Sequence, residues 1–158
     1  MKRIIYILFL GISLSQYAPY FDDEKAYDFL LKQCSFGPRY PGSSGHVDFK
    51  DYLINYLNKY SDNVKVIEHD LKHPYEDKNI KLYNILAQYN FESDNRILLM
   101  AHWDTREIAD KEKDIIKQKK PILGANDGAS GTAILMLFAE ILSNNHLNNI
   151  GVDLLFVD

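Results

Sequence analysis

A chain of 158 residues, 46% apolar and 25% charged, can bury the core of one small domain and carries no compositional sign of a second. Its formal charge of -4, with lysines scattered rather than clustered, excludes the basic stripe of a nucleic-acid surface. Cys34 is the single cysteine, which excludes an internal disulfide and a thiolate zinc cage, so any metal must be held by nitrogen and oxygen.

At the start of the chain, Lys2 and Arg3 precede the apolar run Ile4 to Leu14, and Ser13 and Ser15 are small enough for a signal-peptidase site. Residues 1–18 are expected to be a secretory signal, which makes the protein secreted or periplasmic. The run is shorter than the about 20 apolar residues that span a bilayer. An uncleaved membrane anchor or a buried terminal helix is the alternative, and membrane contact would run through this segment alone.

Asp22 and Asp23 can cap a helix in which Ala26, Tyr27, Leu30, Leu31 and Cys34 recur at helical spacing, ending near Gly37. From Phe36 to Gly45 two prolines and three glycines exclude regular structure and predict a loop. Phe49, Tyr52, Leu53, Tyr56, Leu57 and Tyr60 then mark one apolar face of a second helix. Strands are expected around Val64 to Ile67 and from Lys81 to Gln88, with the polar turn Pro74 to Lys78 between them, as a hairpin or as neighbours.

The apolar run Arg96 to Ala101 predicts a strand buried on both faces, with His102 at its carboxyl end. Ala129 to Leu142 is apolar nearly all round and predicts a buried helix, capped by Asn126 or Asp127. Val152 to Val157 is a further strand, completing strand, crossover helix, strand. The fold class is α/β, and the sheet would end on an apolar strand without a neighbour, an association hazard.

In open α/β sheets, ligands gather outside the carboxyl ends of the strands. His102 and Asp104 fall at one such end, Asp127 precedes the buried helix, and Asp158 falls at another strand end, so three segments direct metal-compatible groups to one edge. Imidazole and carboxylate without cysteine suit a catalytic zinc, where one coordination position stays open. Gly124, Gly128 and Gly131 permit a tight turn and close helix-to-sheet approach around Asp127. Taken singly, Asp127 also reads as a helix cap and His102 as incidental.

The two segments Ala101-His102-Trp103-Asp104-Thr105-Arg106 and Gly124-Ala125-Asn126-Asp127-Gly128-Ala129-Ser130-Gly131 together resemble the zinc-dependent exopeptidase superfamily, which contains aminopeptidases and glutaminyl-peptide cyclotransferases. The loop Phe36 to Ser43 and the strand Val152 to Asp158 are similar to that family too, nearest to the animal-type glutaminyl cyclases of bacteria. The resemblance implies a three-layer α/β/α fold with a mixed sheet, of which residues 22–158 form an incomplete catalytic domain lacking its C-terminal part. It implies Zn2+ as cofactor, Asp127 as a metal ligand, His102 as a ligand or close neighbour of the metal, and Asp104 as support for His102. It places the general acid/base, another glutamate ligand and a final zinc histidine beyond Asp158. His46, His69, His73 and His146 show no ligand spacing that would replace them.

The implied activity is zinc-assisted cyclisation of an N-terminal glutamine to pyroglutamate with release of ammonia, on peptide or protein substrates. A zinc aminopeptidase of the same superfamily and an inactive truncated remnant are the alternatives. Arg106 and the insertion to Lys120 are expected at the substrate mouth, with Trp103 expected in packing rather than in chemistry.

Overall fold

Asp22 opens the first helix, α1 (Asp23–Ser35), by accepting a hydrogen bond from the Lys25 amide at 3.0 Å. The computed structural model describes residues 18–74, 76–145 and 147–158, so the expected N-terminal signal and His146 lie outside the described residues. In α1 the buried stripe is rotated from the one expected. Phe29 and Gln33 are buried, whereas Tyr27 and Leu31 are exposed. Two stripes of this helix have helical spacing, and packing selects one: the Gln33 side chain donates to the Ala129 carbonyl at 2.9 Å, which docks α1 on the long helix α4 (Ala129–Asn144).

The helix α2 (Ser44–Leu57) starts earlier than its aromatic run, because the Ser43 hydroxyl caps it, accepting from the His46 amide at 3.1 Å. Phe49, Leu53, Tyr56 and Leu57 are buried as the periodicity predicts, while Tyr60 lies beyond the helix end. Strands β1 (Asn63–Lys72) and β2 (Asn79–Tyr89) form an antiparallel hairpin, registered from Asn63 opposite Gln88 to Lys72 opposite Asn79.

Strand β3 (Arg96–His102) leads through the short α3 (Ile115–Gln118) and α4 to β4 (Gly151–Val157), which returns parallel to β3. β4 also pairs antiparallel with β2, so the mixed sheet has the order β1-β2-β4-β3. This corrects two expectations. The last strand is not without neighbours, since β4 is paired on both sides. The edges of the sheet are β1 and β3, and β3 is not buried on both faces: Leu98 and Met100 are 53% and 61% exposed. The physical reason is that α4 covers one face of β3 only, with Gly131 so close that an added Cβ would stand 3.0 Å from Ala101 Cβ.

Helices α1, α2 and α4 converge on one sheet face, where Ile85, Ala87, Val152, Leu154 and Phe156 form a single core with Phe29, Phe49, Leu53 and Met136. The fold is therefore α/β with a mixed four-stranded sheet, and the described residues build the helical layer on this face. At the end of the sheet remote from His102, Arg96 clamps Asp153 with two parallel hydrogen bonds of 2.8 and 2.7 Å.

Candidate metal centre

His102 is the last residue of β3, and its carbonyl accepts from the Thr132 hydroxyl of α4 at 2.9 Å, which ties the strand end to the helix start. Its ring lies between two carboxylates. Nδ1 is 3.1 Å from Asp104 Oδ1, and Nε2 is 3.1 Å from Asp127 Oδ1. The ring is 48% exposed and the Asp127 side chain 65%, so a ligand or ion reaches both from solvent.

These distances carry chemistry. A hydrogen bond to an ionised Asp104 puts a proton on Nδ1 and turns the Nε2 lone pair toward Asp127. A lone pair and a carboxylate oxygen at 3.1 Å repel unless a proton or a cation lies between them. One nitrogen and one oxygen donor of this kind fit zinc as two of its ligands, with the Nδ1 contact as the orienting bond that metal-binding histidines use. Among the described residues no cluster of three or more such donors forms.

Asp127 is free for this role because it does not cap the helix, contrary to the capping expectation. The N-cap position of α4 is Gly128, with no side-chain cap bond, at φ 99° and ψ -57°. Glycine is required there: an added Cβ would stand 2.7 Å from the Asp104 carbonyl oxygen and 3.2 Å from His102 Cε1. The close approach brings the Asp127 loop against the strand end.

Asp158 is not part of this edge, which corrects the expectation that it joins the other acids. Its side chain turns inward and is fully buried, with Oδ2 2.6 Å from His46 Nε2 and accepting from the Tyr83 amide at 2.7 Å. β4 alternates sides residue by residue, so the strand end nearest His102 presents Asp158 to the core and not to the cleft. His73 is likewise engaged elsewhere, 2.8 Å from Glu107.

Two residues to which the sequence reading gave no role turn out to hold the site together. Arg39 is fully buried and donates to the backbone carbonyls of Trp103, Gln33, Gly37, Leu123 and Gly124 at 3.1 to 3.3 Å. Burial lowers its pKa from the ordinary arginine value, against an opposing pull from Cys34 and Asp104. It thereby joins the Gly-Pro loop before α2 to the segments carrying both His102 and Asp127. His46 is the second, stacked on Trp103 with ring centroids 4.5 Å apart. For Arg39 the sequence signal was its place in the Phe36 to Ser43 loop that resembles the family, and for His46 a histidine in a first helical turn.

On the Asp104 side of the site, a cleft of about 310 Å³ is walled by Tyr40, Pro41, Ile80 and Ile108, with Asp104 and Arg106 at its polar side and neither His102 nor Asp127 in its lining. Arg106 thus lines the mouth as expected, paired with Asp110. Trp103 does not; it is fully buried, donating Nε1 to the Tyr83 carbonyl at 3.2 Å.

Comparison with known proteins bears on the fold and the family. Residues 84–158 match the model of peptidase family M28. The fold superimposes on a Bacteroides thetaiotaomicron glutaminyl cyclase bound to N-acetylhistamine with TM-score 0.82 and 38% identity, covering 89% of this chain and 47% of that one. A Tannerella forsythia glutaminyl cyclase gives 0.82 and 37%, covering 87% and 47%. A leucine aminopeptidase precursor from Bacteroides thetaiotaomicron gives 0.81 and 39%, with the same coverages of 87% and 47%. No curated protein matches. The chain spans about half the length of the solved relatives it matches. In sequence and fold, the chain is thus similar to the zinc-dependent exopeptidases of peptidase family M28, whose model its residues 84–158 match, and to the bacterial glutaminyl cyclases.

Proposed function

We propose that this chain contributes the first part of a zinc-dependent glutaminyl-peptide cyclotransferase centre, acting on N-terminal glutamine in peptides or proteins. The observation that carries this reading is the His102 ring set 3.1 Å from both Asp104 and Asp127 at the carboxyl end of β3, on a fold shared with bacterial glutaminyl cyclases. Export as a secreted or periplasmic protein is part of the proposal and rests on the Lys2-Arg3 and apolar N-terminal pattern.

In this mechanism His102 Nε2 and Asp127 would hold the zinc, and Asp104 would keep the proton on Nδ1 so that Nε2 is the donor. Bound zinc supplies Lewis-acid polarisation of the glutamine side-chain carbonyl. The substrate's own α-amine attacks that carbon and gives up a proton, the carbon–nitrogen bond to the side-chain amide nitrogen breaks, and that nitrogen takes up a proton and leaves as ammonia as the ring closes. Exposure of His102 and Asp127 lets the peptide terminus reach the pair, and the adjoining cleft with its apolar wall accommodates the chain that follows.

An aminopeptidase reading has its own support in the likeness to a leucine aminopeptidase precursor. The two differ in product. The purified chain, and in parallel the product of any longer reading frame that contains it, is incubated with zinc and a glutamine-initiated peptide, and the products are weighed by mass spectrometry. Loss of ammonia from an otherwise intact peptide supports cyclisation. Release of free amino acids without pyroglutamate overturns it in favour of the peptidase.

A further inference from the structure

Trp103 stands between His102 and Asp104 and is held at four points. Its amide donates to the Val157 carbonyl at 2.9 Å, its carbonyl accepts from Arg39 Nε at 3.1 Å, its Nε1 donates to the Tyr83 carbonyl at 3.2 Å, and its ring stacks on His46 at an interplanar angle of 18°. The last two contacts close a circuit. Tyr83 donates its amide to Asp158 Oδ2 at 2.7 Å, and the same oxygen lies 2.6 Å from His46 Nε2, whose ring returns to Trp103. The His46 and Asp158 side chains are 1% and 0% exposed.

Side chains alternate along extended backbone, so pinning residue 103 inward sends residues 102 and 104 outward together. That is the arrangement in which Asp104 reaches His102 Nδ1 across two residues. Stability alone is a poor account of the buried pair beneath Trp103. Buried ionisable pairs are often replaced by apolar groups without loss, and Asp158 Oδ1 is buried with no hydrogen-bond partner among the described residues.

We infer that His46, held by Asp158, is a positioning residue for the candidate metal centre, fixing through Trp103 the direction in which His102 and Asp104 leave β3. Its relevance to metal binding rests on the proposed role of His102 and Asp127, and the test separates the two. The full chain is labelled with 15N at histidine, and the His102 ring shifts are read in mildly alkaline buffer without metal, followed by a zinc titration. Wild type is expected to show one tautomer, with the proton on Nδ1.

His46→Phe keeps a ring in the stack but removes the group facing Asp158. It is expected to mix the two tautomers and to weaken zinc about tenfold, the low end of the effect of losing an orienting partner. His46→Gln retains an N–H for Asp158 and recovers part of both; it also serves if the phenylalanine variant does not fold. Leu137→Ala, a core truncation on α4 away from Trp103, lowers stability without moving the His102 shifts. The inference fails if wild type itself is a tautomer mixture, if His46→Phe leaves His102 as in wild type, or if Leu137→Ala perturbs it equally. A tautomer change in His46→Phe with no zinc binding by any variant upholds the positioning role and overturns the metal assignment instead.

Discussion

Replacing Gly128 by alanine probes how closely the Asp127 loop must approach the strand end. At φ 99° and ψ -57° an L-residue pays about 1–3 kcal/mol in backbone strain. The added methyl would stand 2.7 Å from the Asp104 carbonyl oxygen, a backbone atom that cannot rotate aside, and 3.2 Å from His102 Cε1. Forcing the loop outward adds about 1–3 kcal/mol, as overpacking generally does. The total, about 2–6 kcal/mol, is a large part of the about 5–15 kcal/mol that holds a domain folded. Gly37→Ala isolates the backbone contribution, because Gly37 also has a positive φ, +80°, yet nothing lies within 4 Å of the Cβ it would gain. The entropy that alanine removes from the unfolded chain is common to both variants and cancels between them. Urea unfolding followed by circular dichroism is expected to place Gly128→Ala at least about 1 kcal/mol below Gly37→Ala, the lower end of the overpacking cost. Equal losses would falsify the steric reasoning and leave backbone strain alone.

Arg39→Met leaves several buried carbonyls without their donor and is expected to cost at least about 3 kcal/mol in chemical denaturation; Arg39→Lys recovers only part, since an ammonium cannot reproduce the fork of the guanidinium. A loss below about 1 kcal/mol in Arg39→Met would mean that the loops hold their places without it. The Arg96 hydrogen bonds hold the Asp153 carboxyl below the usual carboxylate range. With the folded pKa below the unfolded one, this stabilisation is present above about pH 4 and is lost as pH falls through the folded value. Arg96→Gln is therefore expected to flatten the acid limb of a stability-against-pH curve, and an unchanged limb contradicts the pairing. In calorimetry, zinc is expected to bind the 158-residue chain weakly, and His102→Ala or Asp127→Ala to abolish the signal, because two converging donors hold an ion poorly. Tight one-to-one binding that survives either substitution places the centre elsewhere.

The helices were legible where spacing and caps agreed. Asp22 caps α1, and the aromatic face of α2 is buried from Phe49 to Leu57. The hairpin was legible from two extended runs around a polar turn, and it pairs throughout its length. Legibility stopped wherever two local solutions were equally good. In α1 the stripes through Tyr27 and through Phe29 have the same period, and only the contact with α4 chooses between them. An apolar strand such as β3 reads alike whether both of its faces are covered or one, because coverage is a property of its neighbours.

The chain alone determined which groups are available for chemistry. One cysteine excludes a thiolate cage, and the His102-Trp103-Asp104 and Asn126-Asp127-Gly128 segments place nitrogen and oxygen donors at a strand end and a helix start. Tertiary structure decided which acids meet. Asp127 and Asp158 are both aspartates beside regular elements. The positive φ of Gly128 turns the first outward onto His102, while the register of β4 turns the second inward onto His46. The physical reason is that distance along the chain says nothing of side-chain direction once backbone pairing and a glycine turn have set it. One acid therefore faces solvent beside an imidazole, and the other is sealed beneath Trp103.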